Sequence, residues 1–290
     1  EKPALLKNFI QGVNLIGDRG LIVDSYHPID TDVAVIQGFV HANSKQTPHL
    51  KLRRQVYDNQ LKRGKRCIIV DSNLFLAFDK NNSNTYLRYS YDGIFANTGE
   101  YCNSPEHVDK VRWQKMKNQL KIEVKPWRIQ NSGHILVCCQ RNNGWSMQGQ
   151  NVLQWLRQTV ERIREHMDAP IIVRFHPGDK HKDTYEPQIR DLNVSVSHSK
   201  SIFDDLQGAR ICVGHNSSPT IIAAIQGVPI FLTDPGRSQA KDVANYNFKY
   251  LSQPEEFDRG PWLEKLAQCH WTLEELKNGS CWKHMRKYIQ

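Results

Sequence analysis

The sequence predicts an α/β protein made of two Rossmann-like domains, each with a parallel sheet, that face each other across a cleft. Apolar runs of strand length alternate with segments of helical spacing, which is the order that parallel sheets require. The apolar runs are continuous rather than alternating, so both faces of the sheet are expected to be covered. A length of 290 residues with 39% hydrophobic content is enough for two cores.

The second half of the chain shows this order most clearly. Buried strands are predicted at 134–140, 170–175, 193–197, 210–214 and 228–233. Helices are predicted between them at 151–167, 201–209 and 218–227. In a sheet of this kind, ligands bind at the carboxyl ends of the strands.

The first half repeats the pattern less regularly. Helices are predicted at 4–17 and 49–64, and strands at 20–25, 32–37 and 66–71. Because residues 72–128 are polar and aromatic with weak periodicity, we expect loops and short helices there, ending in a linker near 124–128. The predicted domains are therefore residues 1–128 and 129–271, followed by a terminal helix at 272–290.

Composition and motifs exclude several classes of protein. No run of eighteen apolar residues and no basic-then-apolar leader is present, so we expect a soluble protein of the cytoplasm without a membrane partner. Seven cysteines without a CxxC pair indicate reduced thiols rather than a zinc site or a disulfide framework. The absence of GxxxxGK[ST], GxGxxG and GxSxG motifs argues against P-loop, NAD-dependent and α/β-hydrolase chemistry. No motif demands a tightly bound cofactor or a divalent metal.

The net charge of +9 is concentrated in the first half. Residues 1–128 contain 20 Lys/Arg against 13 Asp/Glu, and residues 129–290 contain 19 against 17. The densest stretch, 41–66, has eight basic residues against Asp58 alone. A basic face on one half suggests a polyanionic partner, although a solvated lysine-rich helix would look the same.

Residues suited to anions follow the strand 170–175. Arg174, His176 and Lys180 can contact phosphate, and Pro177 and Gly178 form a turn that brings them together. The alternative is that Pro and Gly only end the strand. Three phosphate-suited groups within seven residues exceed what a turn needs.

Two other strand ends carry candidate ligand groups. After strand 134–140 we place Gln140, Arg141, Gly144 and Trp145, of which the Trp could instead plug a domain junction. After strand 210–214, a helix start presents N–H groups that suit an anion, although any N-cap would also use serine. That helix start comprises His215, Asn216, Ser217 and Ser218. Asp234, Arg237 and Lys241 after the last strand are weaker candidates for a ribose hydroxyl and a phosphate.

The "HP" of residues 176–177 followed by "HNSSPTIIAAIQGVPI" resembles the nucleotide-sugar half of GT-B glycosyltransferases, over roughly 134–240. It is similar to the HP-motif transferases of bacterial capsule, sialyl and teichoic-acid type. The resemblance implies that His176 and Pro177 lie beside the donor nucleotide and that Ser217 and Ser218 lie at its phosphates. It also implies that the helix at 272–290 returns to the first domain.

A second set of motifs resembles a narrower group, the tailed-phage proteins that transfer sugars onto hydroxymethylated DNA bases. The motifs are "YLRYSYDGIFANTGEYC" (86–102), "RW" (112–113), "KPWR" (125–128), "QRNNGWSMQG" (140–149) and "VRFHPGDK" (173–180). A hydroxymethylcytosine-DNA arabinosyltransferase is the best match. This implies a UDP-sugar co-substrate, double-stranded DNA containing hydroxymethylated cytosine, and the host cytoplasm as location. Candidate DNA contacts are Lys45, Lys51, Arg53, Arg54, Arg88 and Arg112.

The expected reaction is attack of a hydroxyl on the anomeric carbon of the nucleotide-sugar. The departing diphosphate is neutralised by Arg174, His176, Lys180 and the helix start at 217–218. An inverting enzyme needs a general base, and Asp71 at the end of strand 66–71 is the first candidate. Asp92 and Glu100 stay open. Alternatives are a cell-surface polysaccharide transferase using an NDP- or CMP-sugar, a non-catalytic nucleotide- or DNA-binding protein, and a sugar-nucleotide epimerase.

Overall fold

Two sheets organise the chain, and each belongs to its own unit. The computed structural model describes residues 2–23, 29–39, 47–79, 85–102 and 104–289. Unit 1 comprises Glu1–Leu120 and Leu263–Gln290, and unit 2 comprises Lys121–Trp262. Both sheets are accompanied by helices, so the α/β class predicted from the sequence is confirmed.

Unit 1 contains a four-stranded sheet in the order β1-β2-β3-β9. Its strands are β1 Val33–Gln37, β2 Arg66–Asp71, β3 Leu87–Tyr91 and β9 His270–Trp271. Its helices are α1 Lys2–Leu15, α2 Pro48–Lys62, α3 Lys110–Leu120, α7 Gly260–Ala267 (which begins at the end of unit 2), α8 Leu273–Lys277 and α9 Ser280–Met285.

The sheet of unit 1 is mixed. β1 and β2 are parallel, but β3 is antiparallel to both β2 and β9. A parallel return needs a crossover of a dozen or more residues, usually through a helix. The described residues between β2 and β3 form only the single 3₁₀ turn Leu76–Phe78, so the chain comes back antiparallel.

Helices cover both faces of this sheet. On one face, α1, α8 and α9 pack on the sheet, and the ring of Phe9 stacks on that of Tyr89 with centroids 6.0 Å apart. On the other face, α2 packs over Ile36, Cys67 and Ile69. The buried strand residues on both faces explain why β2 reads as one continuous apolar run.

Unit 2 contains a five-stranded sheet in the order β6-β5-β4-β7-β8, and every neighbouring pair is parallel. Its strands are β4 His134–Cys138, β5 Ile171–Arg174, β6 Ser195–Val196, β7 Ala209–Gly214 and β8 Ile230–Leu232. Its helices are α4 Val152–Arg164, α5 Ile202–Gln207 and α6 Ser218–Ile225.

Local sequence fixes where these helices begin. The side chain of Asn151 accepts hydrogen bonds from the N–H groups of Leu153 and Gln154, which starts α4. The apolar face of α4, including Trp155 and Leu156, is then buried against the sheet. Helix α5 begins in the same way at Ser201.

The segment between the two units belongs to unit 2. Lys125 N–H donates to Ile225 O, and Arg128 N–H donates to Gly227 O. Gly227 has φ +77, and a Cβ there would lie 1.9 Å from Pro126 O, so only glycine fits. The units therefore divide after Leu120 and after Trp262, rather than at the predicted positions 128 and 271.

Three further sequence predictions concern unit 1. Residues 20–23 of the expected strand 20–25 form no strand, and residues 24–25 lie outside the described part. Within the expected loop region 72–128, the structure forms β3 and α3. Residues 272–290, expected as one helix that returns to the first domain, form two helices in unit 1, α8 and α9, which pack on α1.

Candidate functional site

The order of strands in unit 2 defines where a ligand site should lie. From the central strand β4 the chain winds outward through β5 and β6 on one side, then through β7 and β8 on the other. The connections reverse direction between β4 and β7. Ligands of such sheets bind outside the carboxyl ends of the strands at this switch point. The loops after β4, β5 and β7 meet this criterion.

The turn after β5 fixes the protonation pattern of His176. The N–H of Gly178 donates to Nδ1 of His176 at 2.9 Å, so the neutral ring carries its proton on Nε2. Burial lowers the pKa of His176, and the positive charge of Arg141 lowers it further. At neutral pH the ring is therefore uncharged and has one N–H left to donate to an anion.

Arg141, in the loop after β4, lies against this turn. A Cβ on Gly178 would come within 2.5 Å of an Arg141 guanidinium nitrogen, so glycine is what allows the two loops to approach. Arg141 is exposed and makes no ion pair with any residue that the structure describes. The structure thus brings an available cation and the His176 ring together, as the sequence suggested.

Asp179 holds the two loops in this arrangement. Its buried carboxylate accepts hydrogen bonds from the N–H groups of Asn142 and His181 and from the Tyr185 hydroxyl. Burial alone would raise the pKa of Asp179, but these hydrogen bonds outweigh burial and hold the pKa below its usual value. Asp179 is a positioning residue that the sequence reading did not single out.

The loop after β7 leads into the start of α6. Ser217 is the N-cap residue, yet its Oγ has no hydrogen-bond partner among the described residues. Pro219 carries no N–H, and Thr220 donates its N–H to Ser217 O. The N–H groups of Ser217 and Ser218 remain at the helix start, where the helix dipole favours an anion.

A hydrogen-bonded chain joins the ends of β4, β7 and β8. Gln140 Nε2 donates to Asn216 Oδ1 at 2.5 Å, and Asn216 Nδ2 donates to Asp234 Oδ2 at 2.8 Å. Arg237 Nε donates to the same oxygen of Asp234 at 2.5 Å. Asp234 and Arg237 are therefore engaged with each other, although the sequence suggested a ribose and a phosphate contact for them.

His215 lies beside this chain and is almost fully buried. Its Nδ1 is 2.7 Å from Thr233 Oγ1, which also accepts a hydrogen bond from the Trp155 indole. Burial lowers the pKa of His215, with Asp234 opposing and Arg237 adding to that effect. His215 is therefore neutral at pH 7, and its ring helps to hold the ends of β7 and β8 together.

Arg174 requires a correction. Its guanidinium forms a salt bridge with Asp205 and donates to the carbonyl oxygens of Ser199 and Lys200. The Asp205 side chain is buried and that of Arg174 is largely so, with 5% and 13% exposure. Because Arg174 lies within β5 rather than in the turn, its side chain projects from a face of the sheet toward α5. It is a structural cation rather than a contact for a departing diphosphate.

The other predicted residues of unit 2 lie in the loops at this edge. Pro177 and Lys180 are exposed in the turn after β5. Gly144 and the partly exposed Trp145 lie in the loop after β4, where a Cβ on Gly144 would stand 3.1 Å from Arg141 O. These residues surround the His176 turn, and their contact with a ligand stays a prediction.

In unit 1, Asp71 ends β2 and pairs with Arg88 at 2.7 Å. Arg88 is buried and also donates to Ile94 O, so it is not placed on a surface that DNA could reach. The other two candidate bases, Asp92 and Glu100, both pair with Arg66. All three candidate bases thus have an arginine partner, and the choice of Asp71 among them stays a prediction.

The predicted DNA contacts separate into two groups. Arg112 is enclosed: it pairs with Glu275 and stacks over the Trp271 ring at 3.5 Å. On α2, Lys51 is exposed, Arg53 is half-buried, and Arg54 pairs with Asp58. Lys45 lies outside the described residues.

The described part of the chain contains neither a candidate metal site nor a helix that could span a membrane. Residues 2–23, 29–39, 47–79, 85–102 and 104–289 contain no group of three His, Cys, Asp or Glu side chains arranged to hold a metal ion. Over the same residues, no helix is both long and apolar enough to cross a bilayer.

Comparison with known proteins identifies the fold. No family model and no curated protein matches the sequence. Among solved structures, the β-Kdo 2,4 transferase KpsC of Thermosulfurimonas dismutans aligns with a TM-score of 0.52 at 12% identity, over 86% of each chain. The β-Kdo 2,7 transferase KpsC of the same organism aligns with a TM-score of 0.49 at 13% identity, over 79% of this chain and 89% of that one. The fold is of the GT-B glycosyltransferase type, as the sequence predicted.

Proposed function

We propose that this protein is a glycosyltransferase that moves a sugar from a nucleotide-sugar onto a hydroxyl group. The observation that carries the proposal is the group of anion-binding elements at the switch point of unit 2. These elements are the His176 Nε2–H, the Arg141 guanidinium and the N–H groups at the start of α6. A GT-B fold with a phosphate-suited site at that edge is what a nucleotide-sugar transferase requires.

In the proposed reaction, the acceptor hydroxyl oxygen bonds to the anomeric carbon while the bond from that carbon to the diphosphate breaks. The electron pair of the broken bond leaves with the diphosphate, and the hydroxyl proton passes to a base, for which we propose Asp71. Hydrogen-bond donors already in place for the developing charge usually provide the largest catalytic effect. Arg141, His176 and the α6 start take this role in place of Arg174.

We propose that the donor is a UDP-sugar, whose diphosphate is the leaving group, and that the protein has no tightly bound cofactor. In this proposal the side chains and N–H groups at the switch point of unit 2 stabilise the charge of the departing diphosphate.

For the acceptor we propose 5-hydroxymethylcytosine in double-stranded DNA, with arabinose as the sugar. Support comes from the motifs that resemble those of phage DNA-modifying transferases and from the basic residues of α2. Lys51 and Arg53 would contact phosphates, which provides affinity without sequence choice. The target base would have to leave the stack to present its hydroxymethyl group.

A polysaccharide acceptor is the second candidate. It is favoured by the fold likeness to KpsC, a protein named as a β-Kdo 2,4 transferase. In this case the donor site of unit 2 is unchanged, and only the acceptor and the sugar differ.

One experiment separates the two acceptors. The protein is incubated with a panel of nucleotide-sugars and with either hydroxymethylcytosine-containing DNA or capsule-type oligosaccharides, and the products are read by mass. A pentose or hexose increment on the nucleoside supports the DNA acceptor, whereas an increment on the oligosaccharide supports the second candidate. If no combination gives a mass increment, the result argues against a glycosyltransferase.

Two pairs of variants test the site itself. His176→Ala is compared with His198→Ala, whose side chain is 75% exposed, and Arg141→Ala with Arg190→Ala on an exposed position. We expect turnover to fall by about 10²-fold for each site variant and to stay unchanged for each control. Full activity of both site variants would show that the site is elsewhere.

A further inference from the structure

The orientation of the Gln140 side-chain amide is fixed by its neighbours. Asn216 Nδ2 donates to the carbonyl oxygen of Ser146 at 3.1 Å and to the Asp234 carboxylate at 2.8 Å. Both partners accept only, so the amide group of Asn216 faces them, and its oxygen faces Gln140. Gln140 must then present Nε2 to Asn216, which leaves its Oε1 pointing elsewhere.

Gln140 Oε1 is a buried acceptor without a donor. The residue is 5% exposed, and its Oε1 has no hydrogen-bond partner among the residues that the structure describes. Buried polar atoms of this kind are rare and unfavourable, since the atom has lost water and gained nothing. A ligand group that donates a hydrogen bond would satisfy it.

The position of this atom points to the ligand. Gln140 lies just beyond the end of β4, and Asn216 lies just beyond the end of β7, at the switch point where ligands of such sheets bind. Ser217, next to Asn216, has a hydroxyl that also lacks a partner in the described part of the chain. The loops after β4 and β7, joined by the Gln140–Asn216 hydrogen bond, thus each contain an unpaired polar atom, an acceptor in the first and a hydroxyl in the second.

These two groups require different chemistry from a ligand. A phosphate oxygen accepts from the Ser217 hydroxyl and from the N–H groups of α6, but an ionised phosphate has no proton to give to Gln140 Oε1. A hydroxyl on a carbon close to the phosphate does. The ribose and the transferred sugar of a nucleotide-sugar both carry such hydroxyls.

We propose that Gln140 determines specificity by accepting a hydrogen bond from a hydroxyl of the nucleotide-sugar next to its phosphates. This rests on the proposed function. Oε1 is screened from solvent in the present arrangement. In this proposal, the loop 141–149 moves aside so that the hydroxyl can reach it. Of the left-handed residues in that loop, Asn143, Gln148 and Gly149, only Gln148 lacks a local preference for this conformation.

The test compares ligands with and without the hydroxyl. Ribonucleoside diphosphates of the four bases, CMP and inorganic pyrophosphate are titrated into the wild-type chain by calorimetry. The tightest nucleotide is then compared with its 2′-deoxy and 3′-deoxy forms, and its sugar conjugate with the matching deoxy-sugar conjugates. We expect the loss of one hydroxyl to weaken binding by about tenfold or more, since the site then contains an unpaired acceptor. The ribose and sugar analogues show which hydroxyl is involved.

The protein side is tested with Gln140→Met, which keeps the length of the side chain and removes the acceptor. Gln154→Met on the exposed face of α4 is the control. We expect the discrimination between hydroxyl and deoxy ligands to disappear in Gln140→Met and to persist in the control. A loss of affinity caused by damaged packing would affect both ligands equally and leave their ratio unchanged.

Each outcome decides a different point. Nucleotide binding without discrimination in the wild type, or equal discrimination in the wild type and Gln140→Met, overturns the inference and leaves the proposed function standing. The absence of binding by any nucleotide or by pyrophosphate overturns the donor site itself, and the inference with it.

Discussion

Arg174→Ala should act on stability rather than on chemistry. The Arg174 guanidinium is paired with Asp205, and both side chains are largely withdrawn from water. Without the arginine, the Asp205 carboxylate keeps the hydroxyl of Ser197 as a hydrogen-bond donor but loses its counter-charge. The backbone carbonyls of Ser199 and Lys200 also lose their donor.

The size of the effect follows from burial. Removing one partner of a buried ion pair typically costs about 3–5 kcal/mol, because the other charge stays buried. For a domain of this size, 1 kcal/mol corresponds to roughly 2–4 °C in Tm. We therefore expect Arg174→Ala to lower the Tm of unit 2 by roughly 6–20 °C.

Thermal unfolding and pyrophosphate titration together test this prediction. Arg174→Lys, which keeps the charge but not the planar fork, should recover part of the Tm. Arg190→Ala, on an exposed position, should melt like the wild type. If Arg174→Ala melts within a degree or two of the wild type but binds pyrophosphate at least tenfold more weakly, Arg174 is a ligand residue and the structural interpretation is wrong.

Three further predictions concern His270, His176 and Asp179. Burial lowers the pKa of His270 to about 3, so the stability that its neutral form provides is complete above its unfolded pKa of about 6.5. That stability is lost as the pH falls toward about 3, with about 2 kcal/mol gone by pH 5 in urea unfolding. Pyrophosphate affinity should rise in the wild type as the pH falls through the lowered pKa of His176, relative to His176→Gln. Asp179→Asn should cost about 1–3 kcal/mol, because an amide replaces one acceptor oxygen with a donor.

Each of these measurements has its own control. His270→Gln should unfold with a weaker dependence on pH between 7 and 5, and an unchanged dependence would exclude His270 as the source. For His176, the ratio of wild-type to Gln affinities removes the titration of pyrophosphate, so a flat ratio would refute the assignment. The control for Asp179→Asn is Asp191→Asn, which changes an exposed carboxylate. We expect it to leave the stability of unit 2 within about 1 kcal/mol of the wild type.

Much of unit 2 could be predicted because its strands are buried on both faces. Continuous apolar runs such as 134–138 and 209–214 have a single plausible role in an α/β order, and the His176 turn follows directly from where β5 ends. The partner of Arg174 could not be predicted in the same way. It depends on which face of β5 the side chain leaves and on the approach of Asp205 in a helix that follows much later.

The prediction of loops and short helices at 72–128 missed β3 for a different reason. β3 reads "LRYSY", and its polar residues are buried because other parts of unit 1 satisfy them. Arg88 pairs with Asp71, and the Ser90 hydroxyl donates to Gly93 O. A central strand whose polar side chains find partners outside the strand shows no hydropathy signal, so periodicity alone cannot locate it.

The basic excess of the first half shows how pairing changes the meaning of a charge count. Several arginines that produce the excess, including Arg66, Arg88 and Arg112, are tied to carboxylates within unit 1. Each of these pairs is locally neutral, so the net positive charge of the first half comes from its other Lys and Arg side chains. Exposed lysines on α2 and α3, such as Lys51 and Lys110, stand on helix faces, and α3 contains no acidic residue at all. A surface of this kind favours a polyanion through long-range attraction. The proposed contact with DNA therefore depends on Arg53 and the exposed lysines of these two helices, rather than on Arg88 and Arg112, which are paired.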